Sequence, residues 1–348
     1  MSASPIQSRP LGRTGLRVSE IGFGAASIGN LYQEVTDADA RVTLDAAWAS
    51  GVRYFDTAPY YGFGLSERRT GGALRARDRD DFVLSTKVGR LLEPAPQVKD
   101  SRERHGFRSP MAFEPVYDYS YRGIMRSFED SVQRLGIARI DVLFIHDIGA
   151  VTHAGKHREL FELCMEGGYK ALDELRTKGL VGAIGLGVNE WEVCEQAMER
   201  GRFDCFLLAG RYTLLEQTAL DTFMLKCARH GATVVIGGAY NSGILAAGTR
   251  RGGVLHYNYA PAPDSVVDRV RRIESVCDTY GVTLAAAALQ FPLAHPLVSS
   301  VIPGLGSAKR VAQTVALFKE PIPSSFWHEL QRQGLLRADA PIERPRGA

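Results

Sequence analysis

Short apolar runs recur along the chain, each followed by a longer stretch in which apolar residues return every three or four positions. The runs near 21–24, 53–57, 82–87, 141–145, 183–187, 204–208, 232–236 and 298–302 read as strands. Val142-Leu143-Phe144-Ile145 and Val234-Val235-Ile236 are apolar at every position, as parallel strands covered on both faces should be. The stretches near 38–50, 66–76, 121–135, 168–178, 190–200, 217–230, 265–281 and 307–317 read as helices. Asp37-Ala38-Asp39-Ala40 and Ser307-Ala308-Lys309-Arg310 put a capping side chain ahead of helix formers. A β-hairpin is expected over 9–20, with turn signals at Gly12 and Thr14-Gly15.

Eight strand–helix units without a break in composition predict an α/β fold, a (β/α)8 TIM barrel, as one domain over residues 1–348. The tail 337–348, with Pro341, Pro345 and Gly347, is expected to be loose. A doubly wound sheet would want a full G-x-G-x-x-G turn; Gly22-Phe23-Gly24-Ala25-Ala26 stops short of it. Three connections, 88–120, 147–167 and 237–264, exceed ordinary loop length. Each follows a strand, so in a barrel all three lie on the C-terminal face, where active sites are built.

Composition narrows the classes of function. Lys+Arg number 42 against 39 Asp+Glu, a formal net charge of +3, which gives no reason to expect nucleic acid or an anionic membrane as partner. No apolar run approaches the ~20 residues a membrane-spanning helix needs. Met1-Ser2-Ala3-Ser4-Pro5 lacks the features of a secretion signal. The cysteines (Cys164, Cys194, Cys205, Cys227, Cys277) are odd in number and scattered, with no C-x-x-C pair. They predict buried thiols of a cytoplasmic protein, with no disulfide framework and no metal site.

The chemistry-bearing residues stand where strands stop. Phe55-Asp56-Thr57-Ala58-Pro59-Tyr60-Tyr61-Gly62 offers a carboxylate and two phenols, Lys87 ends the third strand, and His146 ends the fourth. Taken singly, Asp56 could cap a loop, Lys87 could snorkel to the surface and His146 could be a core histidine. Four such groups at successive strand ends point instead to proton transfer. A phenol with its ordinary pKa near ~10 is a poor acid or base at neutral pH. A neighbouring ammonium favours the phenolate, and a carboxylate holds that ammonium charged.

With these residues and the eight-unit pattern in view, the chain resembles the aldo-keto reductase family. The likeness runs from Leu11-Gly12-Arg13-Thr14-Gly15 through Val301-Ile302-Pro303-Gly304. It implies Asp56, Tyr61, Lys87 and His146 as catalytic residues. Tyr61 would be the proton carrier, and His146 would hydrogen-bond the substrate oxygen. It further implies NAD(P) lying extended across the barrel mouth. Asn189 would hold the carboxamide, although Val188 stands where many members have Ser. Tyr212 would stack on the nicotinamide, although the Gln many members carry nearby is not found. Gly238, Ala239, Tyr240, Asn241 and Ser242 would wrap the pyrophosphate, with Gly24 in the same set. Gly304, Arg310, Gln313 and Thr314 would serve the adenosine end. Many NADP-dependent members have Lys where this chain has Gly304, so NAD is expected over NADP, with no metal.

Within the family the chain looks like the branch that oxidises aldoses of the L-fucose, D-threo-aldose or L-galactose type at C1 to a lactone. The partner is then a small molecule, with Tyr60, Phe107 and Trp191 as pocket walls. Oxidation of pyridoxal is the close alternative, followed by NADPH-dependent aldehyde reduction. A cofactor-sensing channel subunit is the remote one.

Overall fold

The computed structural model describes residues 6–98, 102–250 and 252–344. Met1 to Pro5, read above as lacking a secretion signal, and Pro345 and Gly347 of the tail lie outside these residues. Eight parallel strands run in chain order around a barrel: β1 Phe23–Gly24, β2 Tyr54–Asp56, β3 Val83–Val88, β4 Val142–His146, β5 Ala183–Val188, β6 Cys205–Ala209, β7 Thr233–Gly237 and β8 Val298–Ile302. The ring closes between its ends. Gly22 N–H donates to the Val301 carbonyl at 3.0 Å, and Gly24 N–H to that of Pro303 at 3.0 Å. The (β/α)8 barrel read from the sequence is the fold.

Alternation within the strands divides two cores. Tyr54, Val83, Val142, Phe144, Ala183, Cys205, Leu207, Val235 and Ile302 fill the barrel, while Phe55, Leu84, Ile145, Leu186, Phe206 and Ile236 face the surrounding helices. Leu11 and Val18 belong to the inner cluster. They come from the hairpin Ser8–Pro10 with Arg17–Ser19, which closes the N-terminal end of the barrel. Gly12 N–H donates to Thr233 Oγ1 at 2.8 Å, and Ser299 Oγ to the Pro10 carbonyl at 2.6 Å. With one end plugged, the opposite end is where a site can open.

The long connections are more ordered than their sequences suggest. The first carries an antiparallel hairpin, Arg90–Pro94 with Phe113–Tyr117. The second holds the helices Ala150–His153 and His157–Leu163, and the third a short hairpin with Tyr259 at its turn. Two further helices, Leu284–Gln290 and Ser324–Arg332, were not expected. The loose tail needs correcting as far as residue 344. Arg337 pairs with Asp221 and Asp339, Ala340 is buried, and Arg344 donates to Gln290 Oε1 at 3.2 Å.

Candidate active site

Register brings the four strand-end residues together. Asp56 is paired with Ser85 across β2 and β3, Lys87 with Phe144 across β3 and β4, and His146 with Gly187 across β4 and β5. Lys87 Nζ donates to Asp56 Oδ2 at 2.7 Å and to the Thr57 carbonyl at 2.9 Å. Both charged groups are buried, at 1% and 2% exposure. Ser85 Oγ donates to the other oxygen of Asp56 at 2.7 Å. The ammonium lies 4.7 Å from the Tyr61 ring centroid. The Tyr61 and His146 rings meet edge to face at 6.0 Å.

The charges at the site follow from these neighbours. Burial pushes the Asp56 carboxyl up, while Lys87 and Ser85 pull it back. Desolvation works against the Lys87 ammonium, but Asp56 and then Tyr61 hold it above its ordinary value, so the pair is charged. His146 is driven well below the usual imidazole range by burial, with Arg90 and Lys87 adding to it. It is therefore neutral at physiological pH. Its Nδ1 is buried without a protein hydrogen-bond partner, and the Tyr119 hydroxyl fixes its backbone by donating to the His146 carbonyl at 2.7 Å.

These groups open on a cavity of about 440 Å³. Its walls include Tyr32, Tyr60, Tyr61, His105, Phe107 and Tyr259, with Lys87, His146, Asp147 and Asn189 also on its lining. Tyr32 and Tyr259 frame the mouth, and both have left-handed backbones with φ of 62°. Bulky residues seldom adopt that conformation, and backbone strain of this kind gathers at ligand sites.

Not every residue singled out from the sequence joins this cavity. Tyr60 and Phe107 do, with rings 5.4 Å apart. Trp191 does not: it lines a neighbouring cavity of about 500 Å³ that shares Asn189 with this one. Tyr212 also needs correcting as a stacking surface, because its ring is fully buried between Phe291 and His295, at 5.3 and 5.6 Å. Gly24 is buried in the barrel-closing bridge to Gly304. Asn241 spends its side chain inside the protein, accepting from Thr213 Oγ1 at 2.6 Å and donating to the Gly210 carbonyl at 3.2 Å. Ser242 accepts from the Tyr259 amide at 2.9 Å, Ala239 is buried, and Gly238 is exposed with φ of 60°.

A dinucleotide nevertheless fits the chain. Tyr240, Arg310, Gln313 and Thr314 line one further cavity of about 550 Å³. Gly304 is exposed, and a Cβ there would stand 2.8 Å from Ser27 Oγ, a hydroxyl that would have to turn aside. Three residues beside the catalytic groups escaped the sequence reading. Ser85 and Arg90 find their partners only across strands, and Asp147 was overshadowed by His146; a second charged residue after a strand-end histidine was the available signal.

The sequence profile of the aldo/keto reductase family matches residues 20–333. The chain belongs to that family. Among its relatives is a pyridoxal 4-dehydrogenase of Microbacterium luteolum, 46% identical over 340 residues that cover 95% of this chain and 98% of the relative. A D-threo-aldose 1-dehydrogenase of a Pseudomonas species is 38% identical, covering 92% and 96%. The holo form of an aldo-keto reductase from Bacillus halodurans superposes with a TM-score of 0.72 at 27% identity, covering 96% and 98%. The protein is accordingly an NAD(P)-dependent oxidoreductase of the aldo/keto reductase family. Among the described residues no helix is long and apolar enough to cross a membrane, and no cluster of potential metal ligands occurs.

Proposed function

We propose that the protein oxidises a cyclic hemiacetal to its lactone, taking an aldose of the L-fucose or D-threo-aldose type at C1, with NAD preferred over NADP. The observation that carries this reading is the Lys87 ammonium, locked on Asp56 and set 4.7 Å from the Tyr61 ring centroid, beside a neutral His146. When bound, the oxidised nicotinamide supplies the hydride acceptor. Tyr61 takes the proton of the hemiacetal hydroxyl as the carbon–oxygen double bond forms. Neutral His146 donates a hydrogen bond that orients that oxygen, and Lys87 stabilises the phenolate before the step.

Pyridoxal is the second reading, favoured by the aromatic rings of Tyr60, Tyr61, Phe107, Tyr32 and Tyr259 around the cavity and by the 46% identical relative. Pyridoxal also closes to a hemiacetal, so the same residues would serve. The preference for NAD is supported by Gly304, which offers no ammonium to a 2′-phosphate. Five buried, unpaired cysteines support a reducing, cytoplasmic setting.

Tyr61→Phe tests the proton carrier. Turnover should fall by about 10²- to 10⁴-fold, while cofactor affinity, followed by fluorescence titration, stays as in the wild type. Turnover retained in this variant would remove Tyr61 from the role.

A further inference from the structure

The catalytic cavity has a single carboxylate on its lining, Asp147, and proton transfer through Tyr61 makes no use of it. Asp147 follows His146 at the end of β4 with φ of 50°. Its side chain is 13% exposed and pairs through Oδ2 with Arg90, which is itself 5% exposed and stacks 4.0 Å over the Tyr60 ring. The same oxygen lies 3.5 Å from His146 Nε2. The other oxygen, Oδ1, has one long contact, 3.4 Å from Asn189 Nδ2.

A carboxylate presents about four acceptor positions, and leaving them unfilled away from water is costly. Arg90 accounts for one oxygen. The Lys87 ammonium, the other fixed charge on the lining, is taken by Asp56 and the Thr57 carbonyl. Oδ1 is therefore left with acceptor capacity on the cavity side and no strong protein donor to fill it.

The place of that capacity decides its partner. The reacting oxygen of the substrate must lie within reach of both Tyr61 and His146. A carboxylate 3.5 Å from the imidazole nitrogen then faces the substituent next to the reacting carbon. We infer that Asp147 is a specificity-determining residue that accepts a hydrogen bond from a substrate hydroxyl adjacent to the reaction centre. This rests on the proposed hemiacetal oxidation. In an aldose the donor is the C2 hydroxyl; in pyridoxal it is the ring hydroxyl next to the carbon that bears the reacting group. Arg90, anchored on the hairpin Arg90–Pro94 and stacked on Tyr60, is the positioning residue that holds the carboxylate in place.

The competing account makes Asp147 and Arg90 a purely structural pair tying that hairpin to β4. Substrate pairs separate the two. L-fucose is compared with its 2-deoxy counterpart, and pyridoxal with its 3-deoxy counterpart, in the wild type and in Asp147→Asn. Asparagine adopts the left-handed backbone as readily as aspartate, so the loop is preserved. In the wild type, removing the hydroxyl should lower kcat/KM about ten- to a hundredfold for the substrate class that is turned over. In Asp147→Asn that penalty should shrink to a few-fold, with the change carried chiefly by KM.

An equal penalty in both proteins overturns the inference and leaves hemiacetal oxidation standing. If the variant does not fold, the wild type still decides, since equal kcat/KM with and without the hydroxyl also overturns it. Absence of turnover on all four compounds overturns the proposed function, and this inference with it.

Discussion

Burial raises the Tyr61 phenol above its ordinary value, while the Lys87 ammonium pulls it down and Asp56 pushes it back up. The balance is upward in the protein alone. The expectation that Lys87 brings the phenol toward neutrality is therefore right in the sign of its effect and short in its size. The consequence for catalysis is directional. Oxidation needs the phenolate, so kcat/KM for oxidation should climb steadily from neutral pH and still be rising at about pH 10, the ordinary phenol value. His146 is held neutral well below the usual imidazole range, so it adds no acid limb near pH 6.5. A pH–rate profile that levels off below pH 8 would contradict this balance. Asp56, Tyr61, Lys87 and His146 could be read from the sequence because each stands at a strand end inside a recognisable motif. Ser85, Arg90 and Asp147 could not, because their meaning comes from partners such as Asp56, Tyr60 and His146 on facing elements.

Between elements, helix Leu65–Leu74 comes close to the end of helix Tyr121–Leu135. A Cβ on Gly71 would stand 1.8 Å from the Leu135 carbonyl oxygen, so the two helices meet there only because Gly71 has no side chain. Beside that contact, buried Glu67 pairs with Arg134 at 2.5 Å and accepts from Thr86 Oγ1 at 2.7 Å, tying both helices to β3. Gly71→Ala should cost about 1–3 kcal/mol, the usual range for overpacking, measured as a lower denaturant midpoint. Turnover per folded molecule should be unchanged. An unaltered midpoint would show that the helices separate freely. The eight strands and most helices were visible in the sequence because burial on defined faces imposes a period. Helix Leu284–Gln290 was not, since Ala285 to Leu289 are buried all round and leave no polar face to mark a turn. Helix Ser324–Arg332 carried a signal that went unused: Pro323 ahead of Phe326, Trp327 and Leu330, which share one buried face.

For the molecule as a whole, the division of labour follows from closing one end of the barrel. The N-terminal hairpin fills the far end with Leu11 and Val18, and the three long connections rise around the other. Arg69 holds part of that rim, donating to the carbonyls of Ile28 at 2.7 Å and Val35 at 2.8 Å and pinning both ends of the segment that carries Tyr32. Barrel, motif and nicotinamide chemistry were therefore apparent from the chain alone. The walls of the pocket were less so, because which aromatic residues face inward depends on loop backbone that no sequence period records. Trp191 and Tyr212 show this, each placed by its loop in a different environment from the one its residue type suggested.

The measurement that bears most directly on the account is the formation of reduced cofactor over a panel of L-fucose, L-galactose, D-arabinose and pyridoxal, run with NAD and repeated with NADP. Hemiacetal oxidation predicts turnover of at least one member, faster with NAD, yielding the lactone as product. Silence across the panel, together with NADPH-dependent reduction of simple aldehydes, would contradict it.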